Sequence, residues 1–184
     1  MATKGDDTMT AVFLTGFMGT GKTTVGRALA ERLDTSFFDS DAEVECRAGK
    51  AVAAIFAEDG EPAFRALESS VLAELAKRDA VVALGGGALV ADANYECVRR
   101  AGPVVCLKAS VEEILARTAG DDRRPLLSGS DRQARVRALL EQRREAYARA
   151  DIEIDTTGLG IAEVVDEIME FLAKSGRGEV QRGA

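Results

Sequence analysis

Histidine is absent from the 184 residues, and cysteine is scarce: Cys46, Cys97 and Cys106 stand far apart and form no CxxC pair. Zinc sites draw on cysteine and histidine at ligand spacing, so that chemistry is excluded. A small, odd number of cysteines suits a reducing compartment better than a disulfide framework. Net positive charge is lacking as well, the formal charge being −7. Sequence-independent binding to nucleic acid needs a basic surface, and so does attachment to anionic membranes. No apolar run approaches the ~20 residues of a membrane-spanning helix. The stretch 1–10 has no apolar core and carries Asp6 and Asp7, unlike a secretory or organelle-targeting peptide. These absences predict a cytoplasmic protein with neither a nucleic-acid nor a membrane partner. The short chain carries no obvious assembly element, so a monomer is expected.

What is present is ordinary globular material, 46% apolar and 30% charged, in a length that suits one domain or one domain with a flap. A chain of this size buries roughly two-thirds of its unfolded surface and needs no covalent or metal staple. The organisation expected is a flexible start (1–9), one domain (10–174) and a polar, glycine-rich disordered tail (175–184). Short apolar runs alternate with helical patterns in between. Ala11–Thr15, Ser36–Asp39, Ala80–Leu84, Pro103–Leu107 and Asp151–Asp155 read as strands. Helices are expected over Thr23–Leu33, Gln133–Ala150 and Ile161–Lys174, among others. This alternation predicts an α/β layered fold on a parallel sheet with right-handed crossovers. One irregular stretch, Thr118–Asp131 (TAGDDRRPLLSGSD), interrupts the rhythm. Long irregular segments inside compact domains are usually functional, often lids.

Gly16–Thr23 (GFMGTGKT) fulfils the pattern G-x-x-x-x-G-K-[ST], directly after a strand and opening a helix. Glycines there let backbone N–H groups converge on phosphate oxygens, and the helix N-terminus adds partial positive charge. Lys22 supplies a cation to the β and γ phosphates of ATP, and the Thr23 hydroxyl is placed to ligate Mg²⁺. The loop alone does not say whether the phosphate acceptor is a metabolite, water or a protein.

Further candidates carry two readings each. Asp39 and Asp41 (FFDSD) lie on one side of an extended chain at the carboxyl end of a strand, where α/β sheets bind ligands. One could hold Mg²⁺ and the other take a proton from a hydroxyl; Asp41 could instead cap the next helix. Arg143 falls within the apolar stripe of its helix with Val136, Leu139, Leu140 and Tyr147, so it needs an anionic partner. Arg65 starts a helix with the stripe Phe64, Leu67, Val71 and Leu75, flanked by Glu61 and Glu68. Spacing leaves it between a local ion pair, slightly favoured, and a guanidinium fork aimed at a carboxylate. Gly85–Gly87 is either a loose turn or a place where backbone meets ligand. Arg117, Arg123, Arg124 and Pro125 belong either to a charged surface loop or to a segment that closes over phosphates.

In order, the landmarks GFMGTGKTTVGRALA, FFDSD, IFAEDGEPAFRALE, LGGGA, RRPLL and RREAY resemble the shikimate kinase family, over nearly the whole chain from Val12 to Leu172. The resemblance implies a nucleoside-monophosphate-kinase-like three-layer fold with a five-stranded parallel sheet, a lid at about 117–131 and a substrate-binding helical region. It implies transfer of the γ-phosphoryl group of ATP to the 3-hydroxyl of shikimate, in aromatic amino acid biosynthesis. ATP would contact Gly19, Thr20, Gly21, Lys22, Thr23, Thr24, Arg117 and Arg124. Mg²⁺ would be associated with Thr23 and Asp39. Shikimate would meet Asp41, Arg65, Gly86, Gly87 and Arg143, with Lys22, Asp41 and Arg124 serving catalysis. The stretch Asp155–Gly160 departs from the family by lacking an arginine near the adenine. Alternatives are a kinase of the same fold acting on gluconate, a nucleoside monophosphate or a shikimate analogue, and a nucleotide-binding module without catalysis.

Overall fold

The computed structural model describes residues 11–119 and 131–175. The expected flexible start, most of the expected lid with Arg123, Arg124 and Pro125, and the expected tail after Ser175 lie outside the described residues. Five strands, β1 (Ala11–Gly16), β2 (Ser36–Asp39), β3 (Ala80–Ala83), β4 (Val104–Lys108) and β5 (Ile152–Asp155), make one parallel sheet in the order β2-β3-β1-β4-β5.

The central strands are continuous apolar runs because both faces are covered. Alternation along β1 shows how. Val12 and Leu14 join Val81, Val105, Leu107 and Ile154 against α1 (Lys22–Arg32) and α8 (Ile161–Lys174). Phe13 joins Val82, Leu84 and Val104 on the other face, under α2 (Ser40–Ala48), α4 (Gly60–Leu75) and α5 (Asp92–Ala101). Phe13, Leu14, Leu29, Leu72 and Ile168 are fully buried, each stabilising the fold by about 1.5–3 kcal/mol. The shorter α3 (Val52–Glu58) and α6 (Val111–Arg117) and the longer α7 (Arg132–Tyr147) complete the helices described. No helix among the described residues is long and apolar enough to cross a membrane.

The register sets the strand ends at one edge: Asp39 and Leu14 both pair with Ala83, and Gly16 pairs with Leu107. The loops that follow β1, β2 and β3 therefore open side by side, on the edge where such sheets bind ligands. Below the expected lid, Arg132 Nη2 donates to Thr118 O at 2.9 Å, which joins the two ends of that segment.

One sequence expectation needs correction, and one alternative reading falls away. Arg65 does not start its helix: α4 begins at Gly60, where a positive φ of 83° turns the chain, so Arg65 lies in the second turn. Asp41 is not the cap of α2. Asp39 takes that role, because its extended backbone brings its carboxylate to Asp41 N–H (3.1 Å) and Ala42 N–H (3.4 Å). Asp41 is already inside the first turn, so its carboxylate is left for other work.

Candidate active site

The phosphate loop spans the turn from β1 into α1. Gly19 and Gly21 adopt φ of 81° and 96°, a left-handed conformation that side chains other than glycine disfavour. Helix α1 starts at Lys22 with Gly21 as its cap and no side-chain cap bond. The first amides of α1 thus lack an acidic or hydroxyl cap and are available to an anion. Lys22 Nζ donates to Gly16 O at 2.8 Å and Phe17 O at 3.0 Å, which pins the ammonium across the mouth of the loop. Thr20 is buried and turns its hydroxyl inward to Phe17 O (2.8 Å), so any contact of Thr20 with phosphate would run through its backbone. Thr24 is exposed in the first turn of α1.

Thr23 and Asp39 meet directly: the Thr23 hydroxyl donates to Asp39 Oδ2 at 3.1 Å, while Asp39 Oδ1 is occupied in capping α2. Two hard oxygens this close match one edge of an Mg²⁺ octahedron, for which metal–oxygen distances of ~2.0–2.1 Å imply neighbouring oxygens about 2.9 Å apart. No group of three or more His, Cys, Asp or Glu able to hold a metal exists among the described residues. The donor set therefore fits an ion that shares its shell with phosphate oxygens and water.

Arg117 at the end of α6 reaches across to the loop after β5. It donates to Glu113 (2.8 Å), to Thr156 Oγ1 and Thr156 O (3.0 Å each), and to Gly19 O at 3.4 Å. The loop without an arginine is thereby tied to the phosphate loop by an arginine from elsewhere. Thr156, buried at 3% exposure, is the node of this contact, a role that the sequence reading missed.

The acceptor side faces the same opening. Asp41 lies against the glycine triplet, its Oδ1 only 2.5 Å from the point where a Cβ on Gly85 would stand. Its carboxyl is raised to about 6, chiefly by burial and next by the Asp39 carboxylate, with Lys22 pulling it down and Glu68 and Glu45 adding smaller upward pushes. A group titrating there is mostly ionised at neutral pH yet basic enough to take a proton. Arg65 and Arg143, from α4 and α7, converge on Gly87. A Cβ there would lie 3.4 Å from Arg65 Nη2 and 3.7 Å from Arg143 Nη2. At Gly86 it would lie 2.9 Å from Arg143 Nη1. A side chain at Gly86 would push Arg143 aside, while Gly87 lies in ordinary contact distance of both guanidinium groups.

The two arginines differ in what already satisfies them. Arg65 pairs with Glu61 (3.1 Å) and with Glu68 (2.8 Å), so the ion pair expected from spacing and the convergence on the glycines coexist. Glu68 is 1% exposed, and its carboxyl is pushed up by burial against the pull of Arg65 and Arg143. Arg143 lies over the Phe17 ring at 5.8 Å and has no carboxylate partner among the described residues. A half-buried guanidinium with no ion pair among the described residues favours an incoming anion. Phe64, with Arg65 5.3 Å above its ring, and Phe56, 4.6 Å from Phe64, add an apolar wall nearby.

Sequence reasoning missed Tyr147 and Ser40, and singled out Gly85 without its partner. Tyr147 reads as part of an apolar stripe, yet its hydroxyl donates to Gly86 O at 2.7 Å and is pushed above its usual range, chiefly by burial. Ser40 passes as a spacer between two aspartates, and Gly85 as the inert member of the triplet; the two are bonded to each other. The one signal for Tyr147 is its position four residues from Arg143. No local signal marks Ser40 or pairs it with Gly85. Arg124 lies outside the described residues.

A phosphate loop beside a buried carboxylate and two convergent arginines, on a P-loop α/β fold, is the frame of an ATP-dependent kinase of small molecules. The shikimate kinase family matches over residues 18–173, and the chain belongs to that family. It is 48% identical over 162 residues to a shikimate kinase of Geobacter sulfurreducens, covering 88% of this chain and 90% of that one. It is 45% identical over 164 residues to one of Chromobacterium violaceum, covering 86% and 89%. A shikimate kinase of Acinetobacter baumannii solved in complex with shikimate superposes with a TM-score of 0.86 at 39% identity, covering 92% of this chain and 96% of that one.

Proposed function

We propose that this protein transfers the γ-phosphoryl group of ATP to the 3-hydroxyl of shikimate, giving shikimate 3-phosphate and ADP. The observation that carries the reading is the convergence of Arg65 and Arg143 on Gly87, beside Asp41 and opposite the phosphate loop. A carboxylate gripped by two forks at one end of a small ring would leave a hydroxyl at the other end to face Asp41. Neither gluconate nor a nucleoside monophosphate combines a carboxylate with a compact hydroxylated ring.

Asp41 would accept a hydrogen bond from the attacking hydroxyl and take its proton as the O–P bond forms. Lys22 would leave its carbonyl partners for the transferring phosphoryl group, where negative charge builds up. The N-terminus of α1 would hold the β-phosphate. Thr23 and Asp39 Oδ2 would hold Mg²⁺, which when bound neutralises charge on the β and γ oxygens. Arg117 would line the adenine side together with the loop after β5. Arg124 is assigned to the phosphates by family resemblance alone. Positioning and fixed electrostatics would supply most of the acceleration, since little covalent chemistry falls to the protein. A monomeric, cytoplasmic enzyme is the simplest setting for this chemistry.

The test is ADP release from MgATP, with and without shikimate, by wild type and Asp41→Asn. Release that depends on shikimate and collapses in the variant is expected. Turnover indifferent to shikimate would move the assignment to another acceptor, and tight ATP binding without turnover would point to a binding module.

A further inference from the structure

Where β2 turns into α2, the pairing of β2 with β3 runs out: the last matched residues are Asp39 and Ala83. Gly85 lies beyond that ladder and is buried, so its N–H must find another acceptor. It donates to Ser40 Oγ at 2.9 Å, and Ser40 is 1% exposed. One side chain thus continues the strand pairing after the backbone of β2 has left the sheet. This N–H has no other acceptor among the described residues, and a site so enclosed gives water no easy access.

The consequence lies one residue further along. Asp41 follows Ser40, and its carboxylate lies against the bare Cα of Gly85, 2.5 Å from the absent Cβ. Its own N–H is held by Asp39 Oδ1 at 3.1 Å. Gly86 and Gly87, next along the triplet, lie against the guanidinium groups of Arg143 and Arg65, and Gly86 O accepts from Tyr147. Past the triplet, Asn94 Nδ2 donates to Ala88 O at 3.0 Å and fixes its far end. The Ser40–Gly85 bond is therefore the direct link between the carboxylate that faces the attacking hydroxyl and the backbone around which the arginines gather.

We propose that Ser40 is a positioning residue, whose hydroxyl fixes the distance between Asp41 and the arginine-lined glycine triplet and so aligns the acceptor hydroxyl with the phosphoryl group. This rests on the assignment of the site as a kinase acceptor pocket. Ser40 touches neither substrate: it acts through Gly85 and Asp41. A misalignment of about 1 Å at a reacting centre is enough to lower a rate about 100-fold.

The experiment compares wild type, Ser40→Ala, Ser40→Thr and Gly85→Ala, measuring kcat, both KM values, MgADP affinity and Tm. Ser40→Ala is expected to lower kcat by about 10- to 100-fold while leaving KM for MgATP and MgADP affinity unchanged, since the phosphate loop is untouched. Ser40→Thr retains the hydroxyl and should restore most of kcat. Gly85→Ala should reproduce the kcat loss from the other side of the contact, by displacing Asp41. If Ser40→Ala folds poorly, intact MgADP binding separates local from global damage, and the Ser40→Thr and Gly85→Ala arms still decide the matter. Wild-type kcat in Ser40→Ala, with or without a lower Tm, overturns the proposal and leaves Ser40 purely structural. Wild type without shikimate-dependent turnover would instead overturn the assignment of the site.

Discussion

In the proposed reading, one continuous stretch from Gly16 to Thr24 would furnish almost the whole nucleotide side, much of it as backbone. The acceptor side would draw on Ser40 and Asp41 at the start of α2, Arg65 and Glu68 in α4, the glycines after β3, and Arg143 and Tyr147 in α7. The difference follows from what each side must bind. A polyphosphate presents many equivalent oxygens, which a ring of amides and one helix end can meet from a single turn. A ring with a carboxylate and hydroxyls presents distinct groups at fixed separations, and these demand side chains from several directions. The nucleotide side is consequently cheap in sequence and tolerant of its surroundings, while the acceptor side depends on tertiary packing to bring its parts together.

The comparison is sharpened first at Lys22, where the largest effect belongs. Lys22→Ala should lower kcat about 10³-fold and leave KM for shikimate close to wild type, because the cation serves charge that develops during transfer. Steady-state kinetics with both substrates varied checks this. Arg143→Ala should do the reverse and raise KM for shikimate about 10- to 100-fold, as expected for a desolvated carboxylate losing one of its two forks. Arg143→Lys should recover only part of that loss, since an ammonium cannot make a bidentate contact and cannot lie flat over Phe17. Equal, small effects of Lys22→Ala and Arg143→Ala would erase the division between the two sides.

The same division decides what could be read from the chain. The strand–loop–helix context of GFMGTGKT states its function within eight letters, and the alternation of apolar runs with helical patterns states the layered parallel fold. Arg143 could be singled out as an arginine in an apolar stripe, although its destination could not. The convergence on Gly87 joins Arg65 and Arg143, residues far apart in the chain, and no local period encodes such a meeting. Arg65 shows the limit most clearly. Its i−4 and i+3 glutamates favour a bland ion pair, and that ion pair exists. Only the fold shows that the same guanidinium also lies beside Gly87, where Arg143 arrives from another helix. Ser40 is hidden for the same reason: its partner Gly85 is adjacent in the sheet and distant in sequence. The family resemblance filled this gap for the arginines and the aspartates, while Ser40, Glu68 and Tyr147 acquire their meaning from the hydrogen bonds and burial.

Asp41 offers a smaller, thermodynamic contrast between the sides. Its carboxyl titrates near 6 in the fold, against 3.8 for an ordinary aspartate, with burial the largest cause and the Asp39 carboxylate the next. A carboxyl whose folded value is raised favours the protonated acid in the native state. Its contribution is therefore neutral below about pH 4, turns unfavourable as pH rises toward 6, and reaches a full penalty of about 3 kcal/mol above that. Asp41→Asn removes the charge and keeps the shape, so the variant should be more stable than wild type at pH 7.5 by about 1–3 kcal/mol while losing turnover. The advantage should shrink as pH falls from 7 to 4.5. Thermal melts of both proteins across that range, without nucleotide or metal, read it directly. A variant less stable than wild type at neutral pH would mean that the ionised carboxylate is held by favourable contacts and belongs to the scaffold. A stabilised but inactive variant would mark Asp41 as a group the fold carries at a loss, as expected of a base kept poised in a half-buried site.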